Sequence, residues 1–191
     1  MGRRAFLRLA MLAFALVAGT LHADQDVLVP VQLQMELLTK VAAYDKNLPG
    51  RARQGIRLLI LSRPGSAAAS RVAQQAARAL EGKSIVGEPV VVSRADFVSA
   101  PELARRVKDE GIAILYLTPG FEAAELKAIA SSLAGLSVLS AGAVASFVRD
   151  GVVLSFDLVS GKPKLFVHIR RAREQKVELS SYVLKLVKVV E

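Results

Sequence analysis

Histidine and cysteine usage restricts the chemistry open to this chain. Its 191 residues contain two histidines and no cysteine, and His22 lies in the N-terminal segment, which leaves His168 alone. A nucleophilic serine needs a neighbouring base, and a thiol nucleophile, a Cys-ligated metal or a disulfide framework needs cysteine. We therefore expect a structural role for His168, in which its side chain hydrogen-bonds to backbone at the end of a β-hairpin.

Acidic residues are paired in two places. Asp109 and Glu110 precede Gly111 at the end of a helical pattern, and Glu122 and Glu125 fall in the first turn of another, where the helix dipole favours carboxylates. Neither pair is predicted to form an acid and base couple, and no metal-ligand spacing occurs. The sequence thus predicts no catalytic residue, no metal site and no cofactor, and the chain is not expected to be an enzyme.

Glycine-containing turns follow two apolar runs, in "SRPGSAAAS" and "TPGFEAAE". Neither has the glycine spacing of a dinucleotide-binding or phosphate-binding loop, so we interpret both as turns in which Ser66 or Thr118 caps a helix. Open α/β sheets nevertheless bind ligands at the carboxyl ends of their strands. Four hydroxyl residues are expected near such a crevice: Ser62, Ser66, Thr118 and Ser140.

The elements that position these residues alternate along the chain. "GIRLLILS", "EPVVVS", "IAILYLT" and "LSVLS" are short apolar runs typical of strands, and amphipathic helical patterns lie before and between them, the first after Pro30. This alternation predicts an α/β fold, an open, mostly parallel Rossmann-like sheet with helices on both faces. No linker interrupts the pattern, so residues 24–191 are expected to form one domain.

The parallel pattern ends in two alternating runs, "VVLSFDL" and "PKLFVHI". If residues 159–162 form the loop between them, both apolar faces coincide and Asp157 lies opposite Lys164. The sequence therefore predicts a C-terminal antiparallel β-hairpin with three further opposite pairs: Leu158 with Pro163, Phe156 with Leu165, and Leu154 with Val167. The last segment, "SSYVLKLVKVVE", is expected to be amphipathic, with four residues partly buried: Tyr182, Leu184, Leu186 and Val189.

The N-terminus has the order of a signal peptide. Arg3, Arg4 and Arg8 precede or open an apolar run that extends to about Val17, and small residues follow up to Ala23. A membrane anchor is the alternative, but the run is shorter than the roughly 20 residues that cross a bilayer. We expect a signal peptide at residues 1–23 and a periplasmic mature chain. The net charge of +9 comes without interleaved aromatic residues, which disfavours nucleic-acid binding.

The C-terminal half, "GLSVLSAGAVASFVRDGVVLSFDLVSGKPKLFVHIRRAREQKVELSSYVLKL", resembles the YfiR/HmsC-like family of exported bacterial proteins. Seven positions carry the resemblance: Gly151, Phe156, His168 where the family tends to have Asn, Ala172, Val177, Ser180 and Leu184. The segment "VAAYDKNLP" is similar to the family's opening helix. The resemblance implies a periplasmic α/β domain whose studied members restrain an inner-membrane diguanylate cyclase by binding its periplasmic part. Disulfide-based control, attached to some members, is excluded here by the absence of cysteine.

Two classes of function follow. A regulator of an inner-membrane signalling protein needs an exposed apolar patch, for which the candidates are Met35 and Tyr44 on the first helix and Phe147 beside the hairpin. The alternative is a periplasmic solute-binding component of a transport or sensor system, which needs a polar pocket at the strand ends. The single lobe favours the regulator, and the sequence leaves open whether the chain forms a homodimer.

Overall fold

The computed structural model describes residues 29–52 and 55–191. The predicted signal peptide at residues 1–23 lies outside these ranges. None of the described helices has the length and apolar character needed to cross a membrane. In chain order the described elements are α1 (Val31–Ala42), α2 (Leu48–Arg51), β1 (Ile56–Ser62), α3 (Ala67–Leu80), β2 (Ser84–Ile85), β3 (Glu88–Asp96), α4 (Ala100–Asp109), β4 (Ile114–Leu117), α5 (Ala123–Leu133), β5 (Leu139–Gly142), α6 (Phe147–Asp150), β6 (Leu154–Val159), β7 (Lys162–His168), α7 (Ile169–Glu174), α8 (Ser181–Leu184) and β8 (Lys188–Val190).

The strands form one eight-stranded sheet in the order β2-β3-β1-β4-β5-β6-β7-β8. The strands β3, β1, β4, β5 and β6 are parallel to their neighbours in this run. β2 pairs antiparallel with β3, β7 pairs antiparallel with β6, and β8 is parallel to β7. The predicted fold class, a mostly parallel α/β sheet ending in an antiparallel hairpin, is confirmed.

Helices cover both faces of this sheet. Successive side chains of a strand point to opposite faces, so Tyr116 and Leu117 of β4 mark the two sides. The Tyr116 hydroxyl donates to the side-chain Oε1 of Gln34 on α1 at 2.8 Å, which places α1 on the first face. Gly142 pairs with Leu117 and lies against the ring of Phe147 on α6, which places α6 on the second face.

A buried polar contact holds α1 onto the sheet. Gln34 and Tyr116 are fully buried, and Gln34 Nε2 also donates to the carbonyls of Val29 at 2.8 Å and Ala143 at 3.3 Å. Burial raises the pKa of Tyr116 above its ordinary value, so its hydroxyl stays protonated and remains a donor. The amide therefore satisfies polar groups that would otherwise be costly in the core.

The hairpin register agrees with the prediction at every pair. Leu158 lies opposite Pro163, Asp157 opposite Lys164, and Leu154 opposite Val167. The register is set because a slip of one residue would turn the buried side chains of Phe156 and Val167 to the opposite face.

The end of the chain differs from its prediction. Tyr182, Leu186 and Val189 are exposed rather than partly buried, and Val189 belongs to a short strand, β8, that the amphipathic pattern did not predict. The spacing of the apolar residues indicates which of them share a side of the segment. It predicted partial burial because it does not show whether another element covers that side, and no described element does.

The strand predicted at "LSVLS" begins later than expected, at Leu139. The residues before it bind the end of α7 instead of a neighbouring strand. Gly135 N donates to the carbonyl of Glu174 at 2.8 Å, and Val138 N donates to that of Gln175 at 3.2 Å.

Candidate functional site

The carboxyl ends of β1 and β4 form the crevice where such sheets usually bind ligands. β1 leads into α3, which packs beside α1, whereas β4 leads into α5, which packs beside α6 on the opposite face. The chain thus leaves β1 toward one face of the sheet and leaves β4 toward the other. The ends of these two strands therefore form a topological switch point.

Three predicted hydroxyl residues lie at this crevice, and two of their hydroxyls form structural hydrogen bonds. Ser66 caps α3 by accepting a hydrogen bond from Ala69 N at 3.2 Å, as predicted. Thr118 does not cap a helix, because its Oγ1 donates to the carbonyl of Leu61 at 3.2 Å and ties β4 to β1. Ser62 is buried at the end of β1.

Arg63 spans the crevice, and the sequence patterns did not single it out. Its Nη1 donates to the carbonyl of Gly120 at 3.0 Å and its Nη2 contacts the Glu122 carboxylate at 2.7 Å. Its Nε lies 3.5 Å from the Glu125 carboxylate. The guanidinium is therefore occupied by protein acceptors that join the two diverging connections.

Ser140 is not at the opening of this crevice. It lies within β5, pairs with Leu115 of β4, and accepts a hydrogen bond from Val153 N through its Oγ at 3.0 Å. Nearby, at the ends of β1 and β3, a cavity of about 40 Å³ is lined by Leu61, Phe97 and Arg106 among others. That volume suits about one water molecule rather than a solute.

Two of the three predicted partner-binding residues are buried, so their expected exposure is wrong. Met35 lies on the stripe of α1 that faces the core, next to Leu38. The ring of Phe147 lies against Gly142 and meets Phe121 edge to face at 6.5 Å. The helical period identifies an apolar stripe, but it does not separate a stripe that packs internally from one that binds a partner.

Tyr44 is the predicted partner residue that is exposed, and its ring contacts that of a second exposed tyrosine. Its ring centroid is 5.6 Å from that of Tyr182, which is 59% exposed. Leu186, two residues beyond the end of α8, is 67% exposed, and Val189 on the outer strand β8 is 43% exposed. We call Tyr44, Tyr182, Leu186 and Val189 the C-terminal apolar patch. Exposed large apolar side chains that lie together, as the two tyrosine rings do, are typical of a protein-docking surface.

Backbone hydrogen bonds join the two segments that supply the tyrosines. Ser180 N donates to the carbonyl of Tyr44 at 3.1 Å, and Lys46 N donates to that of Glu178 at 3.0 Å. Asp45 lies between these contacts, and its Oδ1 accepts from the backbone N of Asn47 at 3.1 Å and of Glu178 at 2.9 Å. The loop after α1 and the segment before α8 are thereby held together.

A buried ion pair lies beneath this junction. The Arg51 guanidinium contacts the Asp45 carboxylate, and both side chains are almost completely excluded from solvent. Burial lowers the pKa of Arg51 to about 10, so the group remains charged at neutral pH. Each charge therefore depends on the other for compensation.

His168 is buried at the start of α7, consistent with a structural position. Its backbone N donates to the carbonyl of Val153 at 2.9 Å, but its Nδ1 has no hydrogen-bond partner among the described residues. The predicted side-chain bond to backbone is therefore not made by Nδ1. Desolvation, followed by the cations Arg171 and Arg170, lowers the pKa of His168 below 6.5, and Glu174 opposes the shift.

A lowered histidine pKa makes stability depend on pH. Below pH 6.5 the unfolded chain binds a proton at His168 more readily than the folded chain, so stability falls from there down to the folded-state pKa. We expect His168→Asn to reduce this acid-side slope while changing stability little at pH 8. Urea unfolding of both proteins at pH 8.0, 6.5 and 5.5 measures the difference, and parallel pH profiles would contradict the assignment.

The described residues hold no group of three or more histidine, aspartate or glutamate side chains that could bind a metal ion. The polar groups of the strand-end crevice are largely engaged within the protein, and the C-terminal apolar patch is the candidate surface. The fold is an α/β domain built on a mostly parallel sheet.

The chain belongs to the YfiR/HmsC-like family, whose model matches residues 31–188. The resemblance seen in the C-terminal half is therefore confirmed over nearly the whole described chain. Curated proteins give no significant sequence match.

Solved structures show the same fold at low sequence identity. A conserved domain protein from Vibrio cholerae is 14% identical with a TM-score of 0.58, over 85% of this chain and 60% of that protein. An ABC domain in complex with L-Trp from Streptococcus pneumonia is 14% identical with a TM-score of 0.56, over 84% and 62%. A ligand-free, open substrate binding protein with adhesive properties from Clostridium difficile is 11% identical with a TM-score of 0.55, over 76% and 58%. The chain thus spans about three fifths of the length of each neighbour.

Proposed function

We propose that this protein is an exported, non-catalytic regulatory domain that restrains an inner-membrane signalling protein by binding its periplasmic part. The target that fits the family best is a diguanylate cyclase, the enzyme class that makes cyclic-di-GMP. Family membership supports export and a regulatory role. The observation that carries the proposal is the C-terminal apolar patch, in which two exposed tyrosine rings contact each other and two more exposed apolar side chains follow in the chain.

Such a regulator needs no chemistry of its own. It represses by binding the inactive conformation of its target better than the active one, and about 1.4 kcal/mol of difference shifts the equilibrium tenfold. Tyrosine side chains such as Tyr44 and Tyr182 suit this role, since they supply large contact area at low entropic cost. The buried Asp45 and Arg51 pair beneath them keeps the surface in one arrangement before the target binds.

Cyclic-di-GMP levels test the proposal directly. Deleting the gene should raise cyclic-di-GMP and surface attachment, and the wild-type gene should restore the low level. We expect Leu186→Glu to restore it poorly, because a carboxylate would be desolvated in the interface. Val98→Glu is the matched control, because Val98 is also highly exposed, at 74%, but follows β3 elsewhere on the molecule.

The outcomes separate the two classes of function. Full complementation by Leu186→Glu would exclude the patch as the docking surface. Unchanged cyclic-di-GMP after deletion, together with lost uptake of a particular solute, would replace the regulator with the solute-binding alternative. The bridging of the strand-end crevice by Arg63 and the 40 Å³ cavity beside it argue against a solute site at the carboxyl ends of the strands.

A further inference from the structure

The edge of the sheet opposite to β8 has a stretch of unpaired backbone. β2 pairs with the first two residues of β3 only, and no other described strand lies outside β3. Val90 N donates outward, to the carbonyl of Lys83 at 3.0 Å. Phe97 N donates inward, to the carbonyl of Ser62 at 2.8 Å. Because successive residues of a strand alternate, the even-numbered residues after Val90 present their N–H and C=O groups outward, as on a strand that can accept another strand.

The unpaired stretch has four outward-facing positions, which are symmetric about residue 95. It begins after Val90, whose N–H is already bonded, and it ends before α4. Ser99, which caps α4, is still extended, with φ of −157° and ψ of 158°, so the alternation of β3 continues to residue 98. In chain order the four positions are Val92, Arg94, Asp96 and Val98.

The side chains of these four positions share one face of the strand, in the order apolar, basic, acidic, apolar. Arg94 and Asp96 are exposed, and neither forms an ion pair with the described part of the chain. Val98 is 74% exposed, and Val92 lines a groove of about 370 Å³ between α3 and β3. The same order read in the opposite direction meets each charge with the opposite charge and each valine with a valine, so the stretch is complementary to itself.

A second copy of the chain fits this edge in one antiparallel register. A two-fold axis at Ala95 places Arg94 opposite Asp96 of the second copy, and Val92 opposite its Val98. An axis at residue 93 would instead place Arg94 opposite Val92, and an axis at residue 94 would place Arg94 opposite its own counterpart. Opposite charges across antiparallel strands are favourable, whereas like charges are destabilising. The register centred on Ala95 is therefore favoured, and it uses all four outward-facing positions.

This register also suits the surroundings of the strand. Ala95 meets its own counterpart as a non-hydrogen-bonded pair, in which the two strands approach closely and a small side chain fits. Val98 of each copy lies beside Val92 of the other, so its exposed side chain is covered next to the α3–β3 groove. The groove itself favours neither sign of charge, because Arg78 and Glu81 both line it. Glu88 stays outside the paired stretch, since it already pairs with β2.

We propose that two copies of this chain join through the free edge of β3, as an antiparallel pair centred on Ala95, and so form one continuous sheet. Arg94 with Asp96 and Val92 with Val98 are the hydrogen-bonded pairs of this junction. The C-terminal apolar patch includes Val189 of β8, at the other end of the sheet, so it stays free in each copy. The junction is therefore separate from the proposed repression through that patch.

Cysteine substitution tests the register, because the chain has no cysteine of its own. In the proposed pair the two Ala95 Cα atoms lie about 4.5 Å apart, which is within the range that a disulfide spans. We expect mild oxidation of Ala95→Cys to give a covalent dimer on a non-reducing gel. Ser93→Cys is the matched control, since Ser93 is also partly buried on the same strand face but lies opposite Phe97 of the other copy. Absence of the Ala95→Cys dimer, or equal cross-linking of both variants, would overturn the proposal.

Charge reversal tests the pairing of Arg94 with Asp96. Arg94→Asp and Asp96→Arg each bring like charges together at two symmetric places, so each should raise the dissociation constant of the dimer at least about tenfold in sedimentation velocity. An equal mixture of the two variants should associate again, because every pair across the mixed dimer has opposite charges. Arg105→Asp, the same charge change at an exposed position on α4, should leave association unchanged.

Two variants separate this junction from the proposed function. Val98→Glu should weaken the dimer, because it places a carboxylate against Val92, yet it should still lower cyclic-di-GMP. Leu186→Glu should dimerise normally and lower cyclic-di-GMP poorly. The junction is wrong if the wild-type protein sediments as a monomer at every concentration, or if the mixed charge variants associate no better than each variant alone. Those results leave the docking role of the C-terminal apolar patch standing, and full complementation by Leu186→Glu leaves the dimer standing.

Discussion

Gly151→Ala is expected to destabilise the domain by about 3 kcal/mol, near the upper end for overpacking a closely packed site. A Cβ at Gly151 would lie 2.5 Å from Ala130 Cβ and 2.7 Å from the carbonyl oxygen of Leu126, both on α5. The backbone atom of Leu126 cannot move without disturbing the helix. Gly151 also ends α6, where its N donates to the carbonyl of Phe147 at 3.0 Å. Equilibrium urea unfolding measures the loss.

Gly161→Ala is a control for placing an alanine at a positive φ where the surrounding space is open. Gly161 lies in the turn of the hairpin with φ of +74°, and a Cβ there would meet nothing within 4 Å. Its substitution should cost only the backbone strain, about 1 kcal/mol. If both variants lost the same free energy of unfolding, close packing against α5 would not be the reason that position 151 requires glycine.

Asp45→Asn is expected to cost about 3 kcal/mol, because it leaves the buried Arg51 guanidinium without a compensating charge. The amide retains an oxygen that can accept from the backbone N of Asn47 and Glu178, so this variant isolates the ion pair from those hydrogen bonds. Adding Arg51→Met should recover part of the loss, since the uncompensated charge is then removed. Urea unfolding of the single and double variants completes the comparison.

The exposed ion pair beside it supplies the control. Lys46 and Glu178 contact each other at 2.6 Å but remain largely in solvent. Glu178→Gln should therefore cost no more than about 0.5 kcal/mol. If Asp45→Asn were as mild as Glu178→Gln, the pair between Asp45 and Arg51 would not hold the junction beneath the C-terminal apolar patch.

The local elements and their order could be predicted from the sequence. Strand and helix periods differ, so the runs that became β1, β3 and β4 were recognisable, as were the helices between them. The hairpin register was also predictable, because pairing Asp157 with Lys164 makes both apolar faces coincide. The cap at Ser66 depends on residues three apart and was equally local. In each case the decisive interactions lie within a few residues or between adjoining strands.

Only the tertiary structure decided which apolar side chains are exposed and which groups the polar side chains contact. The contact between Tyr44 and Tyr182 joins segments far apart in the chain, and so do the hydrogen bonds of Asp45. In the sequence, Arg63 looks like any other charged residue in a turn. Only the folded chain brings this turn next to the turn that contains Gly120, whose carbonyl accepts from the Arg63 side chain. The apolar stripe of α1 was recognisable, but the burial of Met35 follows from the sheet beneath it. The hydrophobic period of a helix or strand specifies which of its residues share a side. Their burial and charge pairing depend on which distant segment of the chain covers that side, and only the folded chain determines which segment that is.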